Sequence, residues 1–223
     1  AGGTLTDCKP EIPDAADLFD VPPVASIGIL NRDEGPDAAM PGIVRFATPA
    51  QAACYFMVGE TSKTSAAGKE RGKMRSPFTQ PFFPLAHHLQ AARFRELLKA
   101  SPKVETWLMN TGYVGGDGNG VKAGTALKVK IPHSSAMLEA LLAGTIRWTR
   151  DPDFGYELVD VKHKDNAALL AKVPAEILQP ALFYEKQNRM AEYRAWVAQM
   201  KSERKAFLEK SGVDADIVAA AAG

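Results

Sequence analysis

The run Val104 to Met109 (VETWLM) ends abruptly at Asn110-Thr111-Gly112, and glycine then recurs at positions 112, 115, 116, 118, 120 and 124. The run has the length and composition of a strand entering the centre of a sheet. So many glycines in so short a span imply unusual backbone angles or close backbone contacts. This pairing of strand and glycines constrains the fold more than any other feature. Two readings remain open for the glycine segment. It is a loop whose N–H groups approach a nucleotide, or it is a long hairpin between two strands, which spacing alone favours. It is not a dinucleotide fingerprint. No acidic residue is suitably placed downstream, and the pattern after it, Leu127 to Ile131, reads as a half-buried strand rather than a helix.

The flanking sequence supplies helices and strands in alternation. Val24 to Leu30 reads as a short strand, and Asn31 to Gly42 as a surface loop with turn pairs Gly35-Pro36 and Pro41-Gly42. Thr48-Pro49-Ala50-Gln51 starts a helix that should run to Val58 and stop at Gly59. Leu89 to Leu98 carries an amphipathic stripe. Ser134 or Ser135 is expected to cap a helix reaching Ala143, and Lys186 to Lys210 is the longest helical pattern. The predicted class is α/β, a mixed sheet with flanking helices. We expect one domain over 1–223, with 1–16 and 212–223 flexible.

Net charge is +1, which gives no reason to expect nucleic acid or an acidic membrane as partner. No apolar stretch approaches the roughly 18 residues of a membrane span. Cys8 and Cys54 show neither metal nor disulfide spacing, which favours a reduced, cytoplasmic setting. The chain starts at Ala1 without a signal pattern and reads as a fragment.

A phosphate loop, G-x-x-x-x-G-K-[ST], does not occur. The nearest string is Gly68-Lys69-Glu70, where Glu occupies the place of the magnesium-binding hydroxyl. The basic stretch Lys63 to Arg75 is either a solvated loop or a cover over a phosphate site. His87 and His88 are adjacent on a predicted helix and diverge, so they suit a shared metal poorly. His133 and His163 are isolated, and no nucleophile–base arrangement can be argued from spacing.

Several strings in order resemble one family, the ATP-dependent phosphoenolpyruvate carboxykinases, over their C-terminal portion. Trp107 to Gly116 (WLMNTGYVGG) resembles the family's strand and N-T-G turn. Thr48 to Gly72 (TPAQAACYFMVGETSKTSAAGKERG) resembles its T-P-x-Q helix and glycine lid loop. Asp151-Pro152-Asp153-Phe154-Gly155 and Val173 to Pro180 resemble its D-P-x-F-G and V-P-x-E-I-L-x-P. Val21 to Val24 resembles its L-P-P-V, which would make about 26–45 an insertion.

The resemblance implies a carboxykinase-type nucleotide-binding C-terminal domain. The family reaction takes oxaloacetate and ATP to phosphoenolpyruvate, carbon dioxide and ADP, with Mg2+ on the nucleotide and Mn2+ at the substrate. It places the catalytic residues, phosphate loop and metal ligands upstream, so the expected partners are those upstream regions of one parent protein, together with ATP and oxaloacetate. Within this chain it implies nucleotide contacts at Lys128, Val129 and Ser134, and a lid at Gly68, Lys69, Glu70 and Arg71. Lys128 stands where the family has Arg, and Ser135 replaces a second Arg. The chain alone is expected to be inactive. The alternative is a non-catalytic nucleotide-binding or interaction module derived from the same family.

Overall fold

The strand read from VETWLM organises the sheet. In the computed structural model, which describes residues 22–62, 73–78 and 85–223, β5 (Glu105–Asn110) lies between β1 (Ser26–Asn31) and β2 (Ile43–Arg45). β1 runs parallel to it, with Ser26 opposite Glu105 and Asn31 opposite Asn110. β2 runs antiparallel, and β9 (Glu157–Val159) and β8 (Trp148–Arg150) extend the sheet on that side in the order β1-β5-β2-β9-β8. The class is mixed α/β, as the alternation of patterns predicts.

Period-two alternation along these strands feeds two cores. Val44, Leu108 and Leu158 join one apolar cluster; their neighbours Ile43, Met109 and Val159 join the other. The first cluster is covered by α1 (Pro49–Val58), α2 (His87–Ala100), α7 (Pro180–Lys186), α8 (Met190–Lys210) and α9 (Ala215–Ala219). The second is covered by α4 (Ile131–Leu142), α5 (Ala167–Leu170) and α6 (Ala175–Leu178).

α1 forms where its capping residues place it. The Thr48 hydroxyl accepts from Gln51 N–H at 3.1 Å, Pro49 opens the first turn, and Gly59 closes the helix in the left-handed conformation. Gln51 is buried, and its carboxamide accepts from Ala47 N–H and donates to the Phe154 carbonyl. The long helical pattern is broken after α7 at Asn188, whose φ is 55°, so α8 is a separate helix.

Four expectations are corrected. The 31–42 stretch is not a surface loop: Ala38, Ala39 and Met40 are buried, because the buried Asp33 carboxylate accepts from Ala39 and Met40 N–H at 2.8 Å each. Leu127 to Ile131 is not one strand. β7 covers only Leu127–Lys128, and α4 begins at Ile131. Neither serine caps α4; Pro132 fits its first turn, and His133 Nδ1 accepts from Lys130 N–H at 3.2 Å. Nor is 212–223 loose. Ile217, Val218 and Ala221 are buried, and Arg95 on α2 pairs with Asp214 and Asp216 at the start of α9. Alanine-rich composition here reflects close packing against α1 rather than weak order. Residues 1–16 lie outside the described residues.

A largely buried ion cluster ties the segment that follows α1 to α8. Glu60 binds Arg204 through Oε1 at 2.9 Å and Arg75 through Oε2 at 2.9 Å, and Arg75 continues to Glu203 at 2.8 Å. Arg204 lies over the Tyr55 and Phe154 rings and is 1% exposed. Burial pushes the Glu60 pKa up, but Arg204, helped by Lys73 and Arg75, outweighs it and holds the carboxyl at about 2. Burial pushes the neighbouring Cys54 thiol up to about 12.

Removing Glu60 strands a buried guanidinium. Glu60→Ala should therefore lower stability by about 3–5 kcal/mol in denaturant unfolding. Because the folded pKa is depressed, Glu60's contribution is full above its ordinary value of 4.5 and is lost as pH falls through about 2. Acid unfolding curves of wild type and Glu60→Gln should converge over that window.

Candidate nucleotide-facing site

In open α/β sheets, ligands bind in the crevice beyond the carboxyl ends of parallel strands. Here that end is where β1 and β5 stop side by side, at Asn31 and Asn110. Asn110 has no exposed surface. Its Oδ1 accepts from Asp33 N–H (3.1 Å) and Gly112 N–H (2.8 Å), and its Nδ2 donates to the Met40 (2.9 Å) and Tyr113 (3.1 Å) carbonyls. All four capacities of the carboxamide are used. Gly112 packs so tightly on this hub that a Cβ there would overlap the Asp33 backbone.

Three pieces of chain converge on the hub. After β1 come Arg32, Asp33 and Glu34. Arg32 forks onto the Glu34 carboxylate at 2.8 and 3.0 Å, and Asp33 accepts from Lys73 Nζ. Burial lowers the Lys73 pKa, but Asp33 and then Glu60 outweigh it and raise it. The second piece is a two-stranded stem, β3 (Thr61–Ser62) paired with β4 (Lys73–Met74). It is pinned to β1's end by Ser62 N–H to the Arg32 carbonyl (2.9 Å) and by Glu34 N–H to Ser62 Oγ (2.8 Å). The third is the glycine segment. β6 (Tyr113–Val114) pairs antiparallel with β7, enclosing α3 (Gly118–Ala123), which is capped by Asp117 and stopped by left-handed Gly124. The segment is thus a hairpin with a short helix inside it.

Lys128 on β7 reaches into this crevice. Its ammonium donates to the Thr111 carbonyl at 3.0 Å and lies 4.2 Å from the Tyr113 ring centre, with Arg32 over the same ring at 5.7 Å. Burial and then Arg32 push the Lys128 pKa down. Val129 does not offer its side chain. It is buried in the second core, and its N–H donates to Gly112 O at 3.0 Å. Ser134 is half-buried in the first turns of α4, past the end of β7. Gly68, Lys69, Glu70 and Arg71 lie outside the described residues; the stem that carries them leaves at Ser62 and returns at Lys73. Among the described residues, no group of three or more His, Cys, Asp or Glu side chains is placed to hold a metal.

Sequence reasoning missed Arg32, Asp33, Glu34 and Tyr113 as parts of this site. The legible signal was the polar run Arg32-Asp33-Glu34 directly after an apolar strand.

An α/β domain with Lys128, Arg32 and the Tyr113 ring grouped at the carboxyl ends of β1 and β5 is thereby defined. Residues 29–165 match the family model for phosphoenolpyruvate carboxykinase, ATP type, and the chain belongs to that family. The ATP-type phosphoenolpyruvate carboxykinase of Bradyrhizobium sp. strain BTAi1 is 32% identical over 221 residues, covering 94% of this chain and 37% of the relative. That of Rhodopseudomonas palustris strain BisB5 is 33% identical over 192 residues, covering 82% and 32%. That of Parvibaculum lavamentivorans is 30% identical over 222 residues, covering 94% and 37%. The chain spans roughly a third of the length of these relatives. The matched range includes Trp107 to Gly116, Thr48 to Gly72 and Asp151 to Gly155. It begins after Val21–Val24 and ends before Val173–Pro180, so those two strings lie outside the matched range.

Asn110→Ala should cost at least about 2 kcal/mol, since it leaves several buried backbone groups unpaired. Thermal unfolding reads the loss. Amide exchange should also quicken at Asp33 and Gly112, whose N–H groups lose their acceptor.

Proposed function

We propose that this chain is the nucleotide-side part of an ATP-dependent phosphoenolpyruvate carboxykinase working in the gluconeogenic direction. In the complete enzyme oxaloacetate and ATP give phosphoenolpyruvate, carbon dioxide and ADP. Family membership supports the reaction class. The observation that carries the nucleotide role is Lys128. Its ammonium sits at the carboxyl ends of β1 and β5, pressed by burial and by Arg32 toward its neutral form. An anionic phosphate would relieve both pressures.

ATP fits these residues. Lys128 has two N–H donors left after Thr111, and Tyr113 offers an aromatic face beside it. Lys128 would hold the nucleotide, with the Ser134 hydroxyl and the backbone at Val129 as further contacts. Bound nucleotide supplies the phosphoryl group. This part of the protein contributes binding and orientation, and the 61–74 stem sets where the lid loop attaches. Mg2+ and Mn2+ are expected with the family chemistry, but the described residues do not themselves fit a metal, so no step here runs through one. The remaining contacts would come from upstream regions of the parent protein, in a reduced, cytoplasmic setting consistent with the free thiol of Cys54.

A second reading, a nucleotide-binding module without catalysis, is favoured by one observation. Lys128 and Arg32 are already engaged, with Thr111, Tyr113 and Glu34.

Calorimetric titration with ATP tests the site. Lys128→Ala should weaken ATP binding about tenfold, the size of one charge-assisted hydrogen bond. In a complete enzyme carrying this segment, the same change should raise KM for ATP and leave kcat nearly alone. Unaltered ATP affinity would remove Lys128 from the site. A complete enzyme unable to form phosphoenolpyruvate with both cations present would leave only the binding module.

A further inference from the structure

Two cations share one aromatic ring at the carboxyl ends of β1 and β5, and they are held differently. The Lys128 ammonium lies 4.2 Å from the Tyr113 ring centre and the Arg32 guanidinium 5.7 Å from it. Lys128 is tethered to a neutral group, the Thr111 carbonyl. Arg32 is tethered to a charged one, the Glu34 carboxylate. We propose that Arg32 is a second side chain that binds the phosphates of a nucleotide here, and that Glu34 restrains it by competing with phosphate for the same guanidinium. This rests on the reading of Lys128 as a nucleotide contact.

The geometry of the pair shows what is open. Arg32 Nε and Nη2 both donate to Glu34 Oε2, at 3.0 and 2.8 Å. Nη1 has no partner among the described residues, so most of the donors of the guanidinium stay open. The Arg32 side chain is 42% exposed and that of Glu34 27%. Ion pairs this open to water are weakly held. A phosphate accepts the same planar fork as a carboxylate and brings more negative charge. Exchange of one acceptor for the other is therefore a side-chain motion with a net electrostatic gain.

Glu34 takes its place from the stem, not from Arg32. Its N–H donates to Ser62 Oγ at 2.8 Å, and the Ser62 hydroxyl donates to its carbonyl at 3.0 Å. The Arg32 carbonyl accepts from Ser62 N–H at 2.9 Å. With both backbones fixed by β3, the side chains alone decide whether the Arg32 charge is offered or withheld. Glu34 also acts on Lys128: its charge favours the ammonium, while burial and Arg32 oppose it. The nearby Asp33 and Lys73 pair with each other. Glu34 thus halves the net positive charge around the Tyr113 ring.

The test uses this 223-residue chain, with ATP and inorganic triphosphate as probes in calorimetric titration. Glu34→Gln keeps the shape of the side chain and the backbone bonds to Ser62, and removes the competing charge. It should tighten both probes about tenfold. Arg32→Ala should weaken both about tenfold. Arg32→Lys should fall between Arg32→Ala and wild type, because it keeps the charge and loses the fork. When Glu34→Gln is combined with Arg32→Ala, the tightening should vanish. Without ligand, the Lys128 ammonium followed by NMR should lose its proton at lower pH in Glu34→Gln than in wild type. Equal or weaker binding by Glu34→Gln overturns the proposal, and so does a gain that survives Arg32→Ala. A Lys128 titration unmoved by Glu34→Gln overturns it too, since the two groups would then not share one field. Lys128→Ala separates the failures. Weaker binding there, with unchanged binding in Glu34→Gln, refutes the restraint alone. Binding of neither probe by any form refutes the restraint and the nucleotide reading together.

Discussion

The carboxamide of Asn110 is the interaction on which the carboxyl end of the β1–β5 pair depends. It sits at the last position of β5, shut from solvent, and holds four backbone groups from two different loops. No other side chain of that size offers two donors and two acceptors on one plane. With it in place, the turn after β1 and the turn after β5 become one unit. Asp33 then orders the next stretch through Ala39 and Met40 and reaches across to Lys73 on the neighbouring stem. Crevice shape follows from hydrogen-bond bookkeeping at a single residue.

The Glu60 cluster does the corresponding task on the other side of the stem. Glu60 immediately precedes β3 and Arg75 immediately follows β4, so both feet of the hairpin are tied to α8 through Arg204 and Glu203. Charges this deeply buried hold together only as a set, because each alone would face a large desolvation cost. Lys73 links this set to the crevice, standing between Asp33 and the field of Glu60.

Much of the fold was legible because local signals agreed. Thr48, Pro49 and Gly59 marked α1 to the residue, and VETWLM marked an interior strand. Lys128 was singled out through resemblance, and the fold sets it against the Thr111 carbonyl and the Tyr113 ring. What escaped were features that only tertiary contact decides. Residues 31–42 look like a loop because they are short of periodicity, yet Asp33 draws them inside. The helix at 131 begins early because His133, not a serine, supplies the cap. The alanine-rich end looks weak, yet small side chains are what close packing on α1 requires. The six glycines imply unusual backbone angles or close contacts: Gly112 packs on Asp33, Gly115 is left-handed and packs on Phe183, and Gly124 is left-handed.

A strand of only three residues in the main sheet serves both cores. β2 is three residues long, yet it lies between β5 and β9, with Ile43 in one apolar cluster and Val44 in the other, both without exposed surface. Neither core has a wall of its own at that point. Loosening one face shifts the backbone that the opposite face packs on, so β2 couples the two layers to each other.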